Sequence, residues 1–252
     1  MKDIYFLLSL PRAGNTVLAS VINQNNYVKM TARSILDYMI DEMHNLYYSD
    51  KGQNFPDEKS YLNLIQGVFP SYYKDWKTSV VIDRGAWGKA NLLNYLTKIT
   101  KPKFIILHRP LLECLASYVE LVKPLDQNGK RIDSLFCSYL MQKTEIMGEN
   151  LDSIKNVLNS NHSCHIIKYD NFVSNPQEEI NKLFDYMKVQ PHKINKNKLS
   201  QLTINNVSYN DEVVHYPFHK IKENGIKKTH YDVEKILGKD IIYRYKKDEI
   251  EI

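Results

Sequence analysis

The opening of this chain constrains its fold more than any other stretch. Ile4–Leu10 (IYFLLSL) is almost wholly apolar, and Pro11-Arg12-Ala13-Gly14-Asn15-Thr16 follows directly. A run with no polar face suits a strand covered on both sides. Pro11 ends the run, and from Thr16 onward Val17, Leu18, Val21 and Ile22 recur at helical spacing. The expected unit is strand, tight loop, helix. Its loop presents the free N–H groups of a helix start, whose aligned peptide dipoles favour an anion. Gly14 admits a ligand close to the backbone, Asn15 and Thr16 add side-chain donors, and Arg12 adds a charged fork. The Walker spacing GxxxxGK[ST] is absent and the loop has no lysine, which counts against a P-loop-type kinase.

The same alternation continues. Apolar runs at Ser79–Ile82, Lys103–Leu107 and His165–Lys168 are expected strands. Helical patterns occupy Ser34–Tyr47, Asp57–Phe69, Gly88–Thr97, Pro110–Val122, most of Asp133–Leu158, and Pro176–Met187, with a loop over Ser49–Pro56. Strands alternating with helices imply a three-layer α/β/α fold around a central, mainly parallel sheet. Ligands of such sheets gather outside the carboxyl ends of the strands. At about 150 residues per domain, 252 residues form a single domain here, with a core over about 1–190 and a lid or cap over about 191–252.

The formal charge of +5 suits an anionic ligand without demanding nucleic acid, and the basic C-terminal segment lacks interleaved aromatic residues. Cys114, Cys137 and Cys164 are too few and too widely spaced for a disulfide framework or a zinc site, so a reducing, cytoplasmic setting and no metal are expected. His162, Cys164 and His165 alternate along a strand start with no fourth ligand nearby in sequence, and are read as structural. No apolar run reaches the about 18 residues of a membrane span. The apolar start is short for a secretory leader, with Asp3 before it and Arg12 after it.

A second loop repeats the chemistry of the first. Lys103–Leu107 ends at His108-Arg109-Pro110, and Ser117 follows Arg109 by eight residues, on a helix that can face the same mouth. With these two loops in place, a family resemblance is specific. FLLSLPRAGNTVLASVINQN resembles the 5′-phosphosulfate loop of sulfotransferases that use 3′-phosphoadenosine-5′-phosphosulfate (PAPS). FIILHRPLLECLASYV resembles their 3′-phosphate motif, VVIDRGAW their strand carrying catalytic groups, and HIIKYDNFVSNP their strand ending in Tyr and an acidic residue. The Asn-rich NQN after the first helix is similar to bacterial and viral members. Clear motif matches cover about a quarter of the chain and the element order about three quarters.

The resemblance implies a P-loop-like sulfotransferase fold, with PAPS as donor, adenosine 3′,5′-bisphosphate (PAP) as product, and a small-molecule or carbohydrate hydroxyl (or amine) as acceptor. It implies that Arg12 binds the phosphosulfate and steadies the leaving oxygen, while Ala13, Gly14, Asn15 and Thr16 cradle it. Arg109 and Ser117 would hold the 3′-phosphate, Tyr169 would lie against the nucleotide, and Lys220 and Lys222 would close over it. The sequence also departs from the pattern: Ala13 stands for a Ser, Asn15 for a Ser or Thr, and Val17 for an aromatic residue. No His or Glu falls where the family places its base; counting as in protein-tyrosine sulfotransferases lands on Arg33. Asp83 is therefore the expected proton acceptor and His108 the alternative. Arg84 is expected to lower the Asp83 pKa or to stabilise the sulfuryl oxygens. A non-catalytic PAP-binding module that lost its base is the competing reading.

Overall fold

The computed structural model describes residues 2–204, 206–221 and 225–252. Five strands form one sheet: β1 (Asp3–Ser9), β2 (Val28–Met30), β3 (Val80–Arg84), β4 (Lys103–His108) and β5 (Ser163–Lys168), in the order β2-β3-β1-β4-β5. Every neighbouring pair is parallel, with Phe6 beside both Asp83 and Phe104. β1 lies in the middle because the chain builds β2 and β3 on one side of it and β4 and β5 on the other. The loop after β1 therefore opens at the point where the strand order reverses, which is where such sheets leave a crevice.

Ten of the eleven α-helices among the described residues follow the strands: α1 (Asn15–Ile22), α2 (Leu36–Tyr47), α3 (Asp50–Gln53), α4 (Glu58–Tyr72), α5 (Ala90–Ile99), α6 (Leu111–Val122), α7 (Asp133–Leu140), α8 (Ile146–Leu158), α9 (Tyr169–Ser174) and α10 (Pro176–Met187). Alternate β1 side chains serve opposite layers. Phe6 packs with Phe69, Trp87 and Phe104, at ring-centroid distances of 5.7, 5.0 and 5.9 Å. Tyr5 faces the other way, edge-on to Tyr186 of α10. The central residues of β1 and β4 are buried, as a run without a polar face requires.

Four details differ from the sequence expectation. β2 went unseen because three residues carry no readable period. The expected loop over Ser49–Pro56 contains the short α3. The mostly helical stretch expected over Asp133–Leu158 is divided into two helices by a turn that ends with Glu145 in extended backbone; apolar spacing survives across such a turn, so periodicity does not report it. The C-terminal region also has two parts. The described residues between 191 and 232 are mostly irregular, with a small antiparallel pair, β6 (Thr203–Ile204) and β7 (Val207–Ser208). α11 (Val233–Tyr245), interrupted at Gly238, then joins the core by burying Leu237, Ile241 and Tyr245.

The tail after α11 locks this packing. The Glu249 carboxylate accepts from the N–H groups of Leu111 and Leu112 at 2.7 and 2.9 Å, satisfying the exposed donors at the start of α6. Ile241→Ala is expected to cost about 2–5 kcal/mol, the usual cost of emptying a buried Ile site, measured by urea unfolding.

Candidate functional site

The loop after β1 is held from within. Ser9 Oγ donates to Asn15 Oδ1 at 2.6 Å, and Asn15 Nδ2 donates to the Leu10 carbonyl at 3.2 Å. Asn15 is buried, and its side chain closes the loop on itself, so this residue offers a ligand its backbone N–H. Arg12 and Gly14 both take left-handed backbone, with φ of 68° and 103°. A Cβ at Gly14 would stand 3.0 Å from the Tyr169 ring, so glycine serves both the turn and the close approach. The N–H groups of Gly14, Asn15 and Thr16 have no acceptor among the described residues, and neither does the Thr16 hydroxyl.

Arg109 lies across the same mouth. Its Nη1 donates to the Arg12 carbonyl at 3.1 Å, its Nη2 to the Thr229 carbonyl at 3.2 Å, and its Nε to Glu113 at 3.1 Å. The guanidinium is stacked 4.2 Å from the centre of the Tyr169 ring and 5.5 Å from that of Tyr231. Arg12 Nε donates to Ser117 Oγ at 3.3 Å and its Nη1 to the Phe218 carbonyl at 3.2 Å, while Ser117 Oγ donates to Tyr231 Oη at 3.0 Å. Arg12, Arg109, Ser117 and Tyr169 thus form one contiguous patch. Burial lowers the Arg12 pKa, an effect that the nearby Tyr231 and Tyr118 hydroxyls oppose.

Three of the oxygens on this patch come from the segment between β7 and α11. Phe218, Thr229 and Tyr231 supply neutral carbonyl or hydroxyl acceptors to groups whose charge suits an anion. Lys220 is exposed beside Phe218 and has no hydrogen bond among the described residues; Lys222 lies outside them. Sequence reasoning missed Tyr231 and Ser9, which carry no motif. Glu113 was legible as the residue four after Arg109 on a helix.

Asp83 and Arg84 correct the expectation built on them. As neighbours on a strand they point to opposite faces of the sheet, so they make no pair. Asp83 is fully buried and accepts hydrogen bonds from the Tyr73 hydroxyl and from Trp87 Nε1, the latter at 3.0 Å. Burial raises its pKa to about 6, with the nearby Asp37 adding to the rise and the Tyr73 and Trp87 bonds opposing it. The expected lowering by Arg84 does not occur, and a carboxylate with both oxygens already engaged has none left for an acceptor hydroxyl. Arg84 faces the loop: its Nη2 donates to the Ser9 carbonyl at 2.9 Å and to Asn150 Oδ1 at 3.5 Å. Burial pushes its pKa down to about 10, and the charge of Arg33 adds to this. His108 is turned to the tail, with Nε2 3.1 Å from the Ile250 carbonyl, and burial lowers its pKa.

A parallel sheet with a glycine-containing loop and free helix N–H groups at its switch point, and two arginines across the mouth, defines a P-loop-like α/β fold. The sulfotransferase domain family model matches residues 2–246, and the chain belongs to that family. Among solved structures, the sulfotransferase domain of the Synechococcus PCC 7002 olefin synthase is similar at 18% identity and a TM-score of 0.55, over 85% of this chain and 84% of that one. The sulfotransferase domain from the curacin biosynthetic pathway is similar at 14% identity and a TM-score of 0.53, over 98% of each chain. A sulfotransferase from Alicyclobacillus acidocaldarius is similar at 12% identity and a TM-score of 0.50, over 77% and 83%. At these identities the likeness is one of fold. No curated protein sequence matches the chain.

Among the described residues no cluster of three or more His, Cys, Asp or Glu side chains is arranged to hold a metal, and no helix is long and apolar enough to cross a membrane. The buried Asp83 gives a pH test. Its folded pKa of about 6 exceeds the ordinary 3.8, so the folded state keeps a proton that the unfolded state has lost. Stability is then expected to fall by about 2 kcal/mol as pH rises from 4 to 6, and to level off above about pH 7. Urea unfolding across this range should show the fall in wild-type protein and not in Asp83→Asn.

Proposed function

We propose that this sulfotransferase takes PAPS as its donor and passes the sulfuryl group to a hydroxyl of a small molecule or carbohydrate. One observation carries the reading: Arg109 and Ser117, 97 and 105 residues after Arg12 in sequence, converge with it on a single patch beside helix N–H groups that have no acceptor among the described residues. A compound with phosphate at one end and phosphosulfate at the other needs such a two-part cationic surface.

Arg12, the N–H groups of Gly14, Asn15 and Thr16, and the Thr16 hydroxyl bind the phosphosulfate; Ala13 packs beneath the loop. Arg109 and Ser117 take the 3′-phosphate, and Tyr169 lies against the nucleotide. The neutral acceptors of Phe218, Thr229 and Tyr231 give way to phosphate oxygens, whose charge makes each bond roughly twice as strong. Lys220 and Lys222 close the segment over the bound donor.

Sulfuryl transfer then needs in-line geometry and stabilised charge on the transferred group and the leaving oxygen. Arg12 and the loop N–H groups face the leaving phosphate, and Arg84 faces the sulfuryl oxygens from the end of β3. These fixed charges and dipoles do the electrostatic work without a metal. Formation of the acceptor S–O bond accompanies cleavage of the S–O bond to the phosphate, and the electron pair stays on PAP.

Arg109→Ala is expected to weaken PAP binding about 10- to 100-fold, because a hydrogen bond to a charged group contributes about 1.5–3 kcal/mol. Binding of 5′-AMP, which lacks the 3′-phosphate, should change by less than about threefold. Calorimetric titration of both nucleotides checks this, and equal losses contradict the assignment. Arg12→Ala should lower the transfer rate about 10²- to 10³-fold, the usual loss for one electrostatic donor, measured with radiolabelled donor.

A further inference from the structure

Displacing Asp83 leaves the reaction without a proton acceptor, and another carboxylate, with one oxygen still free among the described residues, rests against the carboxyl end of β3. Asp37 lies in the first turn of α2 and is almost wholly buried. Its Oδ2 accepts from the Ala86 N–H at 2.7 Å, just past the carboxyl end of β3. Its Oδ1 is shielded from solvent and has no hydrogen-bond partner among the described residues. Four residues earlier, Arg33 Nη1 lies 3.3 Å from Asp37 Oδ2 as an ion pair, yet neither Arg33 Nη1 nor Nη2 makes a hydrogen bond among the described residues. Buried polar atoms without partners are costly and rare in folded proteins, and three of them on one ion pair point to a ligand group.

The pair is fixed in place from all sides. The Arg33 guanidinium sits 4.5 Å over the ring of Tyr38, whose hydroxyl is bonded to Glu149. The Arg33 backbone N–H donates to Tyr209 Oη at 2.6 Å, and the Tyr209 hydroxyl donates to the Arg33 carbonyl at 2.8 Å. A Cβ at Gly85 would stand 2.7 Å from Asp37 Cγ, so only glycine lets this carboxylate rest on the strand end. A chain of contacts leads from the pair to the donor loop. The Ser34 N–H bonds the Arg84 carbonyl at 3.1 Å, the Arg84 guanidinium bonds the Ser9 carbonyl, and Ser9 bonds Asn15. Asp41, one turn further along α2, is less suited because Lys89 holds it at 2.6 Å.

We propose that Asp37 is the catalytic proton acceptor and that Arg33 holds the acceptor oxygen beside it. The inference rests on the sulfuryl-transfer reading above. The acceptor hydroxyl donates to Asp37 Oδ1 and accepts from Arg33. As the acceptor oxygen bonds to sulfur, its proton passes to Asp37, and the S–O bond to the donor phosphate breaks with its electron pair remaining on PAP. The proton then leaves to solvent.

Water serves as the probe acceptor, since a carboxylate beside the sulfuryl group activates water as it does an alcohol. Release of labelled sulfate from PAPS is measured together with PAP affinity by calorimetry. Wild-type protein should release sulfate, and Asp37→Asn, which keeps an oxygen for the Ala86 N–H, should release it about 10²-fold or more slowly with PAP affinity unchanged. Formate should restore a measurable part of the rate in Asp37→Ala. Sulfate release from Asp37→Asn within threefold of wild type overturns the proposal, as does absence of release from wild-type protein that binds PAP. Loss of PAP affinity in Asp37→Asn that matches the loss of rate also overturns it, because the residue would then be structural. Failure of wild-type protein to bind PAP instead overturns the donor assignment.

Discussion

The need of buried guanidinium groups for oxygen organises the functional end of this molecule. Arg12, Arg84 and Arg109 are drawn into the mouth of a parallel sheet, where removing charge from water is costly unless each donor is met. Arg84 is met by the end of β1 and by Asn150. Arg109 is met by Glu113, by the Arg12 carbonyl and by the C-terminal segment. Arg12 is met by Ser117 and Phe218. The loop after β1, the start of α6 and the segment before α11 are thereby tied to one another through their acceptors. The fold at this end is a set of oxygens arranged around three cations.

The arrangement also accounts for how such a site can exchange its partners. Most of the acceptors on Arg12 and Arg109 are neutral, and a main-chain carbonyl gives a guanidinium geometry without full compensation of charge. A dianionic phosphate supplies both. The segment carrying Phe218, Thr229 and Tyr231 is mostly irregular backbone, anchored by α11 and the tail beyond it, where Glu249 caps α6.

Charge is sorted across the sheet by strand parity. Phe6 and Asp83 share one face with Tyr73 and Trp87, while Leu7 and Arg84 share the other with the donor loop. Sequence adjacency of Asp83 and Arg84 suggested a pair, and the alternation of β-strand side chains forbids it. A carboxylate from α2, Asp37, rests against the end of β3 through the Ala86 N–H. Arg33 and Asp37 stand at the i,i+4 spacing of a helical ion pair, a signal present in the sequence but indistinguishable there from an ordinary surface bridge.

The sequence by itself determined the order of the major strands and helices and the strand, tight loop and helix around residues 10–16. It could do so because an apolar run, a following Gly and a helical period act locally, within about a dozen residues. It also marked Arg109, Ser117 and Tyr169 as belonging near that loop, through motif order. Only the tertiary structure decided that Asn15 turns inward, that Asp83 is buried, that α11 belongs to the core, and that Tyr231 and Phe218 stand on the arginines. Each of these is a contact between residues far apart in the chain or a choice between two faces of a strand. Such choices are made by packing, which no local pattern encodes.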